Sequence, residues 1–244
     1  MRLVFLAALL VGGTTMLGAV CGFFLKGASE RFAGHTMTAS AGVMLATSVA
    51  GLLLPAMDLG GRFALLVLFG GVGCACAFLA LFDRLSTRLT RRFGAAQNMR
   101  SALLFAVVIA VHNFPEGLAA GVGFGTEDTA RAMAVAVGIA LQNLPEGMVT
   151  VTPLLAVGVP PVKALCFGLF TGAVEIFATF LGYGAVRVCA ALLPLALSFA
   201  GGCMLYVIFT EMLPSAEEEN AKRGKTLALL GGFCAMLAMD HLLA

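Results

Sequence analysis

The chain has 244 residues, of which 60% are hydrophobic and 11% are charged, and its formal net charge is +2. Soluble domains carry about 25% charged residues, so this composition excludes an ordinary water-soluble fold and indicates that lipid is the solvent for much of the surface. We therefore interpret the chain as an all-α integral membrane protein that forms a single domain, residues 1–244.

Eight apolar stretches predict transmembrane helices, because a helix needs about 20 mostly apolar residues to cross the hydrocarbon core. In chain order the predicted spans are 3–25, 36–57, 62–82, 101–124, 130–157, 162–186, 190–213 and 227–243, and the last is short. The first stretch is longer than the apolar core of a secretory signal, which has about 7–15 residues, so we interpret it as a span.

Loop charges predict the orientation of the spans. With the N-terminus outside, eleven of the fifteen Lys and Arg residues fall in inner loops, and only Arg2, Arg62, Arg131 and Arg187 lie on the outer side. Inner loops are normally the basic ones, so both termini are predicted to face out. The basic loop 83–100 fits a lipid-surface topology signal better than a nucleic-acid site, and no nucleic-acid partner is expected.

Several polar side chains lie within the predicted spans. An ionisable group inside a bilayer costs at least a few kcal/mol, so it usually marks a pathway or a paired site. The candidates are His112, Asn113 and Glu116 in span four, Gln142, Asn143 and Glu146 in span five, and Glu175 in span six.

Six of these residues belong to a duplicated segment, HNFPEG at 112–117 and QNLPEG at 142–147. The copies lie thirty positions apart on consecutive antiparallel helices, as in transporters with inverted pairs at the membrane midplane. Residues three and four apart share a helix face, so each copy directs its polar side chains one way. Pro115 and Pro145 cannot donate a backbone hydrogen bond, which frees a carbonyl oxygen near each glutamate.

The residue types of the duplicated segment favour a metal ion. Imidazole, amide and carboxylate ligands suit zinc, iron, manganese or cadmium better than monovalent ions. A divalent cation also relieves the repulsion between Glu116 and Glu146, and Glu175 adds a third carboxylate, which gives room for two adjacent ions. A single Asn or Gln in a span is usually packing glue, but duplication of all six positions favours a site.

The two segments resemble the signature of the ZIP (Zrt/Irt-like protein) metal transporters. The phrases Gly172-Ala173-Val174-Glu175, Glu211-Met212-Leu213-Pro214 and Leu54-Pro55-Ala56 extend the resemblance along the chain and are similar to the bacterial GufA-like branch. The resemblance implies eight spans in a 3+2+3 inverted-repeat arrangement, with a binuclear metal site between spans four and five.

Carried over by position, the resemblance implies two ligand sets. His112, Glu116, Gln142 and Glu146 would hold one ion, and Asn113, Glu116, Asn143, Glu146 and Glu175 would hold the second, with the glutamates bridging. Ser48, Asp58, Glu211 and Asp240 are further candidates that would line the entry and exit pathway.

The function implied is import of divalent transition metals, zinc first, by a multi-pass protein of the bacterial inner membrane. The partners would be the ions and the lipid bilayer; the sequence leaves a homodimer open. The ion would be Zn²⁺, or Fe²⁺, Mn²⁺ or Cd²⁺, carried as substrate, and no catalytic cofactor is expected.

Two other functions compete with metal transport. A membrane-embedded metalloenzyme would need two close histidines, as in HExxH, whereas only His112 of the three histidines lies in mid-span, so we expect no enzyme. A carrier or channel for another cation would also use intramembrane carboxylates, but the mixed His, amide and carboxylate clusters fit it less well.

Overall fold

The computed structural model describes residues 1–24, 30–92, 111–126, 128–213 and 219–243, and every regular element in these ranges is a helix. The all-α prediction is therefore confirmed for them. The helices are α1 (Arg2–Phe24), α2 (Glu30–Ala46), α3 (Leu54–Gly60), α4 (Ala64–Arg92), α5 (111–123), α6 (Thr129–Ala156), α7 (Pro161–Val188), α8 (Leu193–Val207) and α9 (Glu219–Leu243).

Five stretches of the described residues are long and apolar enough to cross a membrane: Arg2–Phe24, Gly34–Leu85, Thr129–Ala156, Pro161–Val188 and Ala190–Met212. The chain is therefore a multi-pass membrane protein. Helical residues occur in all eight predicted spans, although the first ten residues of span four lie outside the described ranges. α4 ends at Arg92, beyond the predicted end of its span at residue 82, and α9 begins at Glu219, before the predicted start of its span at residue 227.

The stretch Gly34–Leu85 contains most of α2, all of α3 and the first part of α4, and the chain folds back on itself within it. Its 52 residues would measure about 78 Å as one helix, far more than a hydrocarbon core of about 30 Å. The chain turns at Gly61, where φ is 51°, a backbone conformation that side chains other than glycine rarely adopt. α3 consequently packs against the start of α4.

The helices pack in two sets. α1 packs mainly against α6 and α7, whereas α2 packs against α9 and α4 against α8. α5 joins the first set, since a side chain at Gly117 would collide with the backbone of Glu175 on α7. Contacts between α2 and α6 connect the two sets.

The distribution of polarity is that of a protein surrounded by lipid. Large apolar side chains such as Phe5, Phe69 and Phe177 are exposed, while intramembrane polar side chains such as Glu116 and Glu175 are buried. Since water is absent from the bilayer core, polar groups there must find partners inside the protein. A functional site is therefore expected in the interior of the first helix set.

Two π-helical turns interrupt the second helix set. Thr47–Leu53 lies between α2 and α3, and Ile208–Met212 follows α8. Each turn is followed directly by a Leu-Pro pair in the sequence, and a proline has no N–H to donate to a helical carbonyl oxygen. Such turns frequently accompany functional sites, and these two contain the predicted pathway residues Ser48 and Glu211.

Candidate metal centre

The structure buries all seven predicted metal ligands, none of them more than 5% exposed. They lie on α5 (His112, Asn113 and Glu116), α6 (Gln142, Asn143 and Glu146) and α7 (Glu175). Both α5 and α6 continue through Pro115 and Pro145 as helices, so the polar side chains of each motif remain on a helical face.

The glycine that ends each motif lets a neighbouring helix approach. A side chain at Gly117 would collide with the carbonyl oxygen of Glu175 on α7, and one at Gly147 would collide with that of Thr15 on α1. Close backbone approach through small residues is the usual way in which membrane helices pack. The motifs thereby place α7 and α1 beside the polar cluster.

A direct hydrogen bond links the two motifs. The Nε2 atom of Gln142 donates to Oε1 of Glu116 at 3.0 Å, which joins α6 to α5. The carboxylate of Glu116 also interacts electrostatically with those of Glu146 and Glu175. Three carboxyl groups from three helices are therefore close enough to influence one another inside the membrane.

Glu175 sits in a group of hydrogen-bond donors. Asn113 donates through Nδ2 to Oε1 of Glu175, and Asn143 donates through Nδ2 to Oε2 at 2.7 Å. The hydroxyl of Thr15 lies 2.7 Å from Oε1 and 2.8 Å from Oε2. Side chains of α1, α5 and α6 thus converge on a carboxylate of α7.

Five acceptor oxygens of the motifs are buried without a hydrogen-bond partner among the described residues. They are Oδ1 of Asn113, Oε2 of Glu116, Oε1 of Gln142, Oδ1 of Asn143 and Oε2 of Glu146. A buried acceptor that makes no hydrogen bond costs about 1–3 kcal/mol, so five in one cluster require an explanation. Oxygen ligands of this kind are suited to a divalent cation.

Amide oxygens lie in this cluster together with the carboxylates. Within the described part of the chain, no three His, Cys, Asp or Glu side chains are placed to hold one ion by themselves. The unpartnered amide oxygens of Asn113, Gln142 and Asn143 are therefore candidate ligands beside the carboxylates. His112 is buried and interacts electrostatically with Asp83 of α4.

The four predicted pathway residues differ in exposure. Ser48 is fully buried and donates to the carbonyl oxygen of Met44 at 2.6 Å, while Asp58 and Glu211 are exposed. Asp240 is partly buried, and its Oδ1 atom has no hydrogen-bond partner in the described ranges. Their role in the pathway stays a prediction.

Thr15 is a site residue that the sequence did not reveal. Two threonines, Thr14 and Thr15, stand side by side in the apolar first span, and nothing in the pattern tells which one faces the carboxylates. A polar hydroxyl in a span was the only available signal. Its importance follows from the packing of α1 against α6 and α7, which is a tertiary property.

Comparison with known sequences supports the family resemblance of the duplicated motif. A family profile described as ZIP Zinc transporter matches residues 88–240. The zinc transporter GufA of Myxococcus xanthus is 35% identical over 244 aligned residues, which cover 96% of each chain.

Two further relatives carry the same description. The zinc transporter ZIPB of Bordetella bronchiseptica is 30% identical over 93% of this chain and 76% of its own length. The zinc transporter ZIP11 of Xenopus tropicalis is 40% identical over 65% of this chain and 49% of its own length. With a profile matching more than half of the chain and a relative aligned over nearly all of it, this protein belongs to the ZIP zinc transporter family.

Proposed function

We propose that this protein carries divalent transition-metal ions, zinc foremost, across a membrane through the cluster between α5 and α6. The observation that carries the proposal is the set of five buried acceptor oxygens without partners, all from the two six-residue motifs. The family relationship supports the same substrate class, since the relatives named above are called zinc transporters.

The ion would bind by exchanging its water shell for protein ligands. Glu116 and Glu146 would supply carboxylate oxygens, Gln142 an amide oxygen and His112 an imidazole nitrogen, a mixed set that zinc accepts. Iron, manganese and cadmium accept similar ligands, and we rank them after zinc. Protonation of Glu116 or Glu146 would weaken binding and assist release, because these ligands hold metal only when deprotonated.

The proposal includes the placement of the whole chain. Residues 1–244 form one transporter domain that crosses the bacterial inner membrane eight times with both termini outside, and the ion moves inward. Two observations support this arrangement. Bulky apolar side chains are exposed on the surface of the helices, and the basic residues are biased toward the predicted inner loops. The two helix sets would change their relative position to open the cluster to either side.

The resemblance also implies a second ion, which would involve Asn113, Asn143 and Glu175. All three side chains are buried beside the first position. A second ion would have to replace the hydrogen bonds that Glu175 accepts from both asparagines, so we regard the first position as the one that transport requires.

The test is zinc uptake into proteoliposomes that contain a metal-sensitive dye. We expect saturable uptake by the wild type and at least a tenfold loss in Glu116→Gln and in Glu146→Gln, which remove a charge and retain side-chain volume. Thr152→Val is a matched control, because the exposed Thr152 hydroxyl bonds only to its own helix, at Met148. Size-exclusion profiles would establish that each variant is folded.

Two results would contradict the proposal. One is a wild type that moves no divalent metal, and the other is normal uptake by both glutamine variants. Competition by cadmium, manganese and iron in the same assay would rank the substrates, and selective uptake of a monovalent cation would favour another class of carrier.

A further inference from the structure

A groove on the surface of the helices lies between the two helix sets. It has a volume of about 510 Å³, and α4, α5 and α7 line it, with Phe78 and Phe82 from α4 and Phe114 from α5. α4 belongs to the second helix set, whereas α5 and α7 belong to the first. The volume falls within the range of about 300–1,000 Å³ that is usual for small-molecule sites.

The groove is apolar and opens toward the bilayer. All its lining residues in the described part of the chain are phenylalanine or valine. Phe78 is 41% exposed and Phe170 of α7 is 56% exposed, so the groove opens on the outer surface of the helices. Apolar cavities stay free of water, and an empty cavity loses the dispersion contacts of its walls. Hydrocarbon is therefore the occupant that this lining favours.

A lysine stands at one end of the groove. Lys163, Phe167, Phe170 and Val174 are spaced four, three and four residues apart, so they share one face of α7. The last three line the groove, and the ring centroids of Phe167 and Phe170 are 6.4 Å apart. Lys163 is exposed in the first turn of the helix. This face of α7 thus carries an ammonium group at its beginning and apolar side chains deeper in the membrane.

The length of this face matches one leaflet of a bilayer. Lys163 and Val174 are eleven residues apart, which is about 16 Å along a helix, and half of the hydrocarbon core is about 15 Å. Val174 directly precedes Glu175 of the buried cluster. The face therefore extends from the depth of the cluster to the membrane surface, as one acyl chain does.

Further basic residues follow at the same end of α4. Arg84 is exposed two residues after Phe82, and the sequence continues with four more arginines up to Arg100. The neighbouring Asp83 accepts a hydrogen bond from Tyr206 of α8 at 2.9 Å, so its carboxylate is engaged with the second helix set. Basic residues grouped at the membrane surface attract anionic headgroups. Charge therefore complements the apolar groove in the way that an anionic phospholipid requires.

We propose that the groove binds an anionic phospholipid, with one acyl chain along α4 and α7 and the headgroup phosphate at Lys163. The apolar walls accept any acyl chain, because lipid tails are as apolar as the side chains that line the groove. Lys163 supplies the selectivity, since only the headgroup distinguishes an anionic lipid from a zwitterionic one. In the proposed orientation the lipid belongs to the inner leaflet, and it occupies space between the two helix sets. Its binding does not depend on the metal cluster.

The test uses fluorescence, because the chain contains no tryptophan. Phe170→Trp places one in the groove, and Leu17→Trp places one at an exposed position of α1 that reports the surrounding lipid. Each variant is reconstituted in phosphatidylcholine vesicles with increasing fractions of phosphatidylglycerol whose brominated acyl chains quench nearby tryptophan. We expect half-maximal quenching of Phe170→Trp at a fraction about fivefold lower, which is equivalent to about 1 kcal/mol for one lysine near an anionic surface.

Two charge variants test the headgroup contact. Lys163→Gln, added to Phe170→Trp, should remove the preference for phosphatidylglycerol. Arg223→Gln is the matched control and should retain it, because Arg223 is exposed on α9, which is not among the helices that line the groove. Brominated phosphatidylcholine should quench the tryptophans at positions 170 and 17 alike.

Several outcomes would overturn the inference. Equal quenching of the two tryptophans by brominated phosphatidylglycerol would do so, and so would a preference that persists in Lys163→Gln. A tryptophan at position 170 that neither lipid quenches would show that protein, such as a second copy of the chain, covers the groove.

Native mass spectrometry of the wild type gives a test that needs no variant to fold. We expect one phosphatidylglycerol molecule to remain bound under detergent conditions that remove phosphatidylcholine, and equal loss of both lipids would contradict the site. Zinc uptake is measured separately, so failure of the lipid site would leave the proposed function intact.

Discussion

Gly147 is a position where a single added methyl group should disrupt the packing beside the site. An added side chain would meet the carbonyl oxygen of Thr15, the amide nitrogen of Ala19 at 3.0 Å and the Cα atom of Gly18 at 3.1 Å. All three atoms belong to the α1 backbone, so no side-chain rotation relieves the collision. α1 and α6 must separate by about 1 Å to restore ordinary van der Waals contact.

The expected cost of Gly147→Ala is about 3 kcal/mol. Overpacking a tight interior typically costs about 1–3 kcal/mol, and displacement of Thr15 also weakens a hydrogen bond to a carboxylate worth about 1.5–3 kcal/mol. For a chain of this length, a loss of about 3 kcal/mol in the free energy of unfolding lowers the thermal midpoint by about 6–12 °C. Because the displaced helix carries a donor to Glu175, zinc uptake should fall as well.

The assay is thermal denaturation in detergent, read by size exclusion, together with zinc uptake into proteoliposomes. Gly13→Ala on α1 is the matched control, since a side chain there has no neighbour within 4 Å among the described residues. That control should be neutral or slightly stabilising, because alanine is the better helix former. Equal midpoints for the two variants would refute the close packing of α1 against α6.

Two further predictions concern the turn after α3 and the orientation of the chain. Gly61→Ala should lower the thermal midpoint by several degrees relative to Gly70→Ala, because Gly61, unlike Gly70, has a positive φ, of 51°; equal midpoints would contradict the turn. In a variant without natural cysteines, Asp58→Cys should react with an impermeant maleimide on intact cells, and Arg84→Cys should react only after the membrane is opened. The reverse labelling pattern would overturn the proposed orientation.

The sequence predicted the helices and the centre of the candidate site. Apolar stretches of about 20 residues placed α1, α6 and α7 within two residues of their observed ends. Glu116 and Glu146 were identified because ionisable groups are rare in membrane spans and because their six-residue segments are duplicated. Both signals can be read from a single sequence, because neither requires knowledge of the tertiary structure.

The arrangement of helices was beyond what local patterns could predict. α1 packs against α6 and α7, which are distant in the sequence. The contacts are made through glycines, and they depend on the shapes of both helices and do not recur at a regular spacing in the sequence. The interaction of Thr15 with Glu175 arises from that packing. The role of Glu175 as an acceptor for three donors likewise requires the relative positions of four helices.

X-ray absorption spectroscopy on the zinc-loaded protein tests most directly whether the motif oxygens and His112 hold the ion. The account predicts a first shell of nitrogen and oxygen at about 2.0–2.2 Å, with an imidazole contribution that disappears in His112→Ala. A shell containing sulfur at about 2.3 Å would show that cysteines bind the ion instead and would contradict the account.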